Sequence, residues 1–257
     1  MEEKDIMKRV FTLPIIALLA ALLIPSCAQK GPYKDGTYHG EFDVIDGHGW
    51  KPVLDITIEK GNIASAKFDY TNPSGASKNA DTNYATAMKG VTGIAPSEAA
   101  IEMEKRLIAK QAAGIDAVTG ATHSTDNFNA LATAILEKAK TGDTSPTVLT
   151  MNDTYSAQDT ADERGYTGKI GVTFENGKIT KVVFDEVDKD NKSKRDDTAY
   201  NTNMAAKTSV SWVDAVTKLE QALVEKQDPN AVDAVTGATG TSERFKKLAT
   251  EAIATRK

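Results

Sequence analysis

Asp116-Ala117-Val118-Thr119-Gly120-Ala121-Thr122 recurs without change as Asp233-Ala234-Val235-Thr236-Gly237-Ala238-Thr239, 117 residues further along. Working outward from this pair, an offset of 116 aligns Glu59, Gly61, Ile63, Phe68 and Asp69 with Glu175, Gly177, Ile179, Phe184 and Asp185. It also aligns Tyr84 and Met88 with Tyr200 and Met204, and Glu104, Leu107, Lys110 and Gln111 with Glu220, Leu223, Lys226 and Gln227. Beyond the motif, Phe128 and Leu131 meet Phe245 and Leu248. So long a period means duplicated domains rather than a solenoid. Each copy, at about 105 residues, is long enough for a modest core of its own.

The copies read alike. Val53 to Ile58 is a strand with partial alternation, Gly61-Asn62 a turn, and Ile63 to Tyr70 the return strand. In the second copy Ile170 to Phe174 and Ile179 to Phe184 flank Asn176-Gly177, a strong hairpin signal. Polar loops follow at 70–80 and 186–196. Helices are then expected over Ser97 to Gln111, with Ile101, Leu107 and Ile108 among the apolar positions, and over Trp212 to Gln227. After the motif, Phe128, Leu131 and Ile135 mark another helix. The expected fold class is α+β, in two tandem homologous domains, each a small antiparallel sheet with packed helices. The expected boundaries are 1–27 for a signal peptide, 28–35 for a tether, 36–141 for the first domain, 142–150 for a polar linker and 151–257 for the second domain.

The remaining 27 N-terminal residues stand apart. Lys8 and Arg9 precede the apolar run Val10 to Ile24, which suits a signal-peptide core better than a membrane span of roughly 20 residues. The run ends in Ile24-Pro25-Ser26-Cys27, a small residue before the chain's one cysteine, and resembles a bacterial lipobox. In such signals the cysteine takes a diacylglyceryl group and becomes the N-terminus. Acidic Glu2, Glu3 and Asp5 do not suit a basic n-region, so Met7 is the better start. The expected location is the cell membrane, lipid-anchored at Cys27 and facing outside the cytoplasm; two lipid chains suffice for stable anchoring.

Composition narrows the function. With 31 basic and 36 acidic residues, the formal charge of -5 argues against nucleic acid. A single cysteine excludes an internal disulfide, an all-cysteine zinc site, an iron–sulfur cluster and a haem attachment motif. His39, His48 and His123 are too far apart for a local metal motif, and no metal is expected. No Ser/His/Asp spacing or dinucleotide-binding glycine fingerprint is present, so no catalytic residue is assigned.

The bland reading of the repeated motif is a tight turn and a helix cap, with Ser124 or Thr125, then Asp126, opening one helix and Thr241 or Ser242, then Glu243, the other. A cap needs one such residue, whereas seven are identical here. Asp-x-x-Thr-Gly-Ala-Thr-x-Ser/Thr resembles the flavinylation motif of FMN-binding domains, found in the NqrC and RnfG subunits of respiratory complexes and in secreted flavoproteins. The resemblance covers nearly all of the chain after the signal. It implies two FMN groups, each joined through a phosphoester to the last hydroxyl of its motif, Ser124 and Thr241, by a separate flavin transferase of the ApbE family with FAD as donor. Thr is the usual acceptor, so Ser124, with Thr125 beside it, leaves two candidates in the first copy. The rest of the expected binding motif is Asp116, Thr119, Gly120, Ala121 and Thr122, and Asp233, Thr236, Gly237, Ala238 and Thr239.

Elementary chemistry agrees. Free amides and the dipole at a helix N-terminus favour a phosphate. Gly120 and Gly237 permit positive φ or close approach, and Ala121 and Ala238 add little bulk. Asp116 and Asp233 divide between transferase recognition or metal binding during transfer and a simple turn contact. Tyr84 and Tyr200 are read as core aromatics rather than ring contacts, and Met88 and Met204 as packing. His123 faces Gly240 in the other copy, which rules out a base common to both. The expected function is an electron carrier relaying electrons from a membrane donor to extracellular acceptors; the alternative is a non-redox flavin- or ligand-binding lipoprotein.

Overall fold

The computed structural model describes residues 31–257. The signal segment and Cys27 lie outside the described residues. Among those described, no helix is long and apolar enough to cross a membrane.

The first half builds β1 (Gly36–Phe42), β2 (Lys51–Glu59) and β3 (Asn62–Thr71), then α1 (Thr82–Thr92), α2 (Pro96–Lys110) and α3 (Thr122–Thr141). After β4 (Thr147–Leu149), the second half runs in the same order: β5 (Asp153–Gln158), β6 (Thr167–Glu175), β7 (Lys178–Val187), α4 (Thr198–Thr208), α5 (Trp212–Lys226) and α6 (Thr239–Ala254). The fold is mixed α+β, as expected. Its sheets are ordered β3-β2-β1-β4 and β5-β6-β7, antiparallel except for β4, which runs parallel to β1.

Alternation decides the faces. Leu54, Ile56 and Ile58 on β2 point inward, as do Ile170, Val172 and Phe174 on β6. Each inner face is covered by two helices, through Met103, Leu107, Phe128, Leu131 and Ile135 in one half and Leu219, Leu223, Phe245 and Leu248 in the other. Ile101, expected to be apolar packing, is 50% exposed; Ala99 and Ala100 take the inward positions of α2. The hairpin turns at Lys60-Gly61 and Asn176-Gly177, with φ of 52° and 77° and of 51° and 76°. Asn62 thus opens the return strand opposite Glu59 instead of sitting in the turn. Two consecutive positive φ values match the twist of the flanking strands.

The strands β1 and β5 and the helices α1 and α4 lie where no element was expected. Neither of these helices has a fully buried residue; each meets its core only through an i, i+4 pair, Tyr84 with Met88 or Tyr200 with Met204. Asp81 and Asp197 start them by accepting from the amides of Tyr84 and Tyr200.

The segment 142–150 does more than link. Its strand β4 extends the first sheet, and Met151, just past it, is fully buried in the first core. The amide of Met151 donates to Asp43 Oδ1 at 2.9 Å. A fragment ending at Met151 is therefore expected to be more stable than one ending at Gly142, by at least about 1.5–3 kcal/mol for the buried side chain alone. Urea unfolding of the two fragments measures the difference.

Candidate functional site

Each half opens a cleft where the motif turn meets the helix after it. The first holds about 190 Å³ and is lined by Tyr70, Lys78, Tyr84 and Met88 and by Gly120 to Ser124, among others. The second holds about 570 Å³, with Tyr200, Met204, Lys207 and Gly237 to Thr241 in its wall. Tyr84 and Tyr200 pack against the cores, as expected, and also line the clefts.

The helices begin earlier than capping by Ser124 or Thr125 would require. Ala121 and Ala238 occupy the caps and offer no side-chain bond, so Ser124 and Thr241 lie in the first turns. The reason is the residue after each. Thr125 Oγ1 accepts from Val118 N at 3.1 Å and donates to Ala121 O at 2.9 Å. Ser242 Oγ makes the same pair of bonds with Val235 N and Ala238 O. These buried hydroxyls tie the turn to the helix. Ser124 and Thr241 are half-buried in the cleft walls. Without a side-chain cap, the first amides of α3 and α6 remain open to an anion in the cleft, an arrangement that fits a phosphate.

Gly120 and Gly237 have φ of 78° and 86°. A Cβ on Gly120 would lie 2.4 Å from Thr92 O, and one on Gly237 2.8 Å from Thr208 O. The turn therefore packs on the C-terminus of α1 or α4. Asp116 and Asp233 are exposed and do not line the clefts; Asp233 pairs with Lys226 at 2.6 Å. Thr119 and Thr236 are likewise exposed.

Sequence reasoning missed the wall opposite the motif. Asp46 Oδ1 accepts from His48 N and Trp50 N, and Asp162 Oδ1 from Arg164 N and Tyr166 N, at the same offset of 116 as the rest of the repeat. Each turn brings an aromatic residue to a buried lysine: Trp50 to Lys78 and Tyr166 to Lys194. The fold also brings His123 to Asp46 and Asp153, with ligating-type atoms within 4.8 Å of one another.

Around Ser124, Tyr70 accepts from Asn127 Nδ2 at 3.2 Å. Burial pushes the Tyr70 phenol up to about 12, against the pull of the Ser124 and Asn127 side chains. In the second half, Arg244 holds Asp159 at 2.7 Å and Asp162 at 3.1 Å. Burial pushes both carboxyls up, but Arg244 and backbone amides outweigh it and leave them below the usual range. A carboxyl with a depressed folded pKa stabilises above its unfolded value, near 4, and loses that contribution as pH falls. The urea midpoint of the second half is expected to hold from pH 7 to about 4 and drop below it. In Arg244→Gln the neutral midpoint should be lower and the drop below about pH 4 smaller, because the carboxyls lose the pairing that depressed them. An unchanged profile would mean that the cluster does not couple to folding.

Comparison with known proteins now bears on the site. Residues 165–254 match the FMN-binding domain family. The chain is 33% identical over 128 residues to the 15 kDa lipoprotein of Treponema pallidum, covering 49% of this chain and 90% of that one. This chain belongs to the family of that lipoprotein. It is also similar to a crystallographically solved Clostridium perfringens protein, at 40% identity, covering 46% of this chain and 98% of that one with a TM-score of 0.45. The FMN-binding domain contains the second cleft, Thr241 and the Lys194 cage. Residues 165–254 thus form an FMN-binding domain, which supports FMN as the cofactor, and the Treponema pallidum relative is a lipoprotein.

Proposed function

We propose that the chain is a lipid-anchored, extracytoplasmic electron carrier with two tandem FMN-binding domains, each carrying one FMN on a phosphoester, at Ser124 and Thr241. The observation that carries this reading is the doubled cleft. In each, a half-buried hydroxyl stands in the first turn of a helix whose cap provides no side-chain acceptor. The commitment of Thr125 to two buried hydrogen bonds favours Ser124 as the first acceptor.

Attachment is a transfer. The hydroxyl oxygen bonds to the FMN phosphorus of FAD, the bond from that phosphorus to AMP breaks, AMP leaves, and the hydroxyl proton is released. A flavin transferase of the ApbE family performs it. The exposure of Asp116 and Asp233 outside the clefts suits recognition by that enzyme rather than contact with the flavin. Bound FMN supplies the redox chemistry, and the protein positions it. The helix amides neutralise the phosphate, Tyr84 and Tyr200 offer apolar faces, and the covalent bond keeps the cofactor from diffusing away outside the membrane. Electrons come from a membrane donor and pass to extracellular acceptors, and Cys27 carries the lipid.

The test is coexpression of the full chain with such a transferase, followed by intact mass and by fluorescence of the denatured gel band. Two FMN additions that survive denaturation support the proposal. Flavin that is lost on denaturation turns the reading to reversible, non-redox binding.

A further inference from the structure

Lys78 and Lys194 occupy the same place in the two halves, and both are buried, at 6% and 4% exposure. Each ammonium sits among three aromatic rings. Lys78 Nζ lies 4.3 Å from the ring centre of Tyr70, 4.6 Å from Tyr84 and 5.6 Å from Trp50. Lys194 Nζ lies 4.4 Å from Tyr166, 4.5 Å from Tyr200 and 5.7 Å from Trp212. Aromatic faces attract a cation but give its N–H groups no lone pair.

The two cages differ in composition: Trp212 stands where the first half has Pro96, and the ring of Tyr70 has no aromatic counterpart. Lys194 donates to the buried carboxylate of Glu186. The first half has Tyr70 at the place of Glu186, and Asn127 at the place of Arg244. Among the described residues, Lys78 Nζ has no hydrogen-bond acceptor, and Lys78 lines the cleft. The two carboxylates that act on it, Asp46 and Asp69, form no ion pair with it and direct hydrogen-bonding oxygens at neutral donors instead. Asp69 accepts from Ser77 Oγ and from the amides of Tyr70 and Asn79, and Asp46 Oδ1 from two amides. Desolvation lowers the Lys78 pKa, against the pull of Asp46 and Asp69. The second cleft does face further cations, Arg164 and Lys207, but these are exposed and screened by water and salt. Arg244 pairs with Asp159 and Asp162 and lies 3.6 Å from the second oxygen of Glu186.

We infer that the two clefts hold electrons unequally. The unpaired ammonium of Lys78 stabilises the reduced, anionic flavin in the first cleft, while Lys194, behind the wall of the second, is paired with Glu186, so the first site has the higher reduction potential. This rests on the proposed reading of two bound FMN groups. A cation without a counter-ion in a low-dielectric wall favours an anion beside it far more than the same cation in an ion pair. At partial reduction, two electrons and one proton leave the flavin of the second site and enter that of the first, with no outside reagent. The repeat therefore has a direction.

The experiment uses full chains loaded at one site, Thr241→Ala for the first flavin and Ser124→Ala for the second, each titrated anaerobically with a redox dye. Intact mass comes first. Absence of flavin overturns the proposed function and this inference with it, whereas loaded chains of equal potential overturn this inference alone. The expected result is a higher midpoint at the first site. Lys78→Met in the Thr241→Ala chain should change the oxidised-to-reduced ratio at fixed potential at least tenfold toward oxidised, about 30 mV for a two-electron couple. Lys78→Arg should retain most of the difference. Glu186→Gln in the Ser124→Ala chain should shift the second site toward reduced. An unmoved or raised first-site potential in Lys78→Met sinks the assignment. If Lys78→Met fails to load or fold, the ranking of the two singly loaded chains decides.

Discussion

Replacing Ser124 and Thr241 together by alanine is expected to give a folded protein that holds no flavin after denaturation. Each single variant should lose one FMN by mass and roughly half of the visible absorbance, because the two hydroxyls stand in separate clefts. Neither caps its helix, so folding should be little affected; exposed and half-exposed positions outside such features usually change stability by about 0.5 kcal/mol or less. Thr125→Ala should behave in the opposite way. It strands Val118 N, which now donates to Thr125 Oγ1, in a buried turn, at a cost of about 1–3 kcal/mol, yet leaves the flavin in place. Urea unfolding and intact mass on the same samples separate the two behaviours. Flavin retained in full by the double variant would refute the acceptor assignment, and loss of flavin in Thr125→Ala but not in Ser124→Ala would move the first site by one residue.

Gly120→Ala is expected to destabilise the first half by at least about 2 kcal/mol and to abolish flavin loading there, with the second half unaffected. Two penalties combine. A side chain at φ of 78° costs about 1–2 kcal/mol on backbone grounds. The added Cβ would also lie 2.4 Å from Thr92 O, and because that neighbour is backbone at a helix end, relief requires moving α1 from the motif turn. Gly237→Ala meets Thr208 O at the looser 2.8 Å and should be the milder of the two. Domain-resolved urea unfolding and per-site flavin mass would test the ranking; a Gly120→Ala chain loaded normally at Ser124 would mean that the turn does not position the acceptor.

The parts legible in the sequence were those that bury something in a regular rhythm. The hairpins announced themselves because Asn176-Gly177 separates apolar runs, and α5 because Trp212, Val216, Leu219 and Leu223 share one face. The helix α4 left no such trace. It is held by Asp197 at its start and by contact of Tyr200 and Met204 with the core, and none of its residues is buried. The motif was readable as a unit, but the division of labour between Ser124 and Thr125 was not, since two adjacent hydroxyls differ only in which points into the turn. The lysine cages were in principle available. Ser77-Lys78 and Ser193-Lys194 align at the offset of the repeat, as do Asp46 with Asp162 and Trp50 with Tyr166. What the chain alone does not display is that the two lysines acquire different surroundings, Lys194 donating to Glu186 and Lys78 facing the ring of Tyr70 at the corresponding position; only the packing makes that exchange meaningful.

The loop that walls the first cleft is not held by its own half alone. Tyr155 donates its hydroxyl to Ile45 O at 2.6 Å, Ile45 N reaches Lys257 O at 2.9 Å, and Gly47 N reaches Asp153 Oδ2 at 2.9 Å. Asp46, His48 and Trp50 follow directly from these tethers. The wall of the first cleft therefore takes its finished form only once β5 and the C-terminal Lys257 are in place, whatever the order in which the chain is delivered.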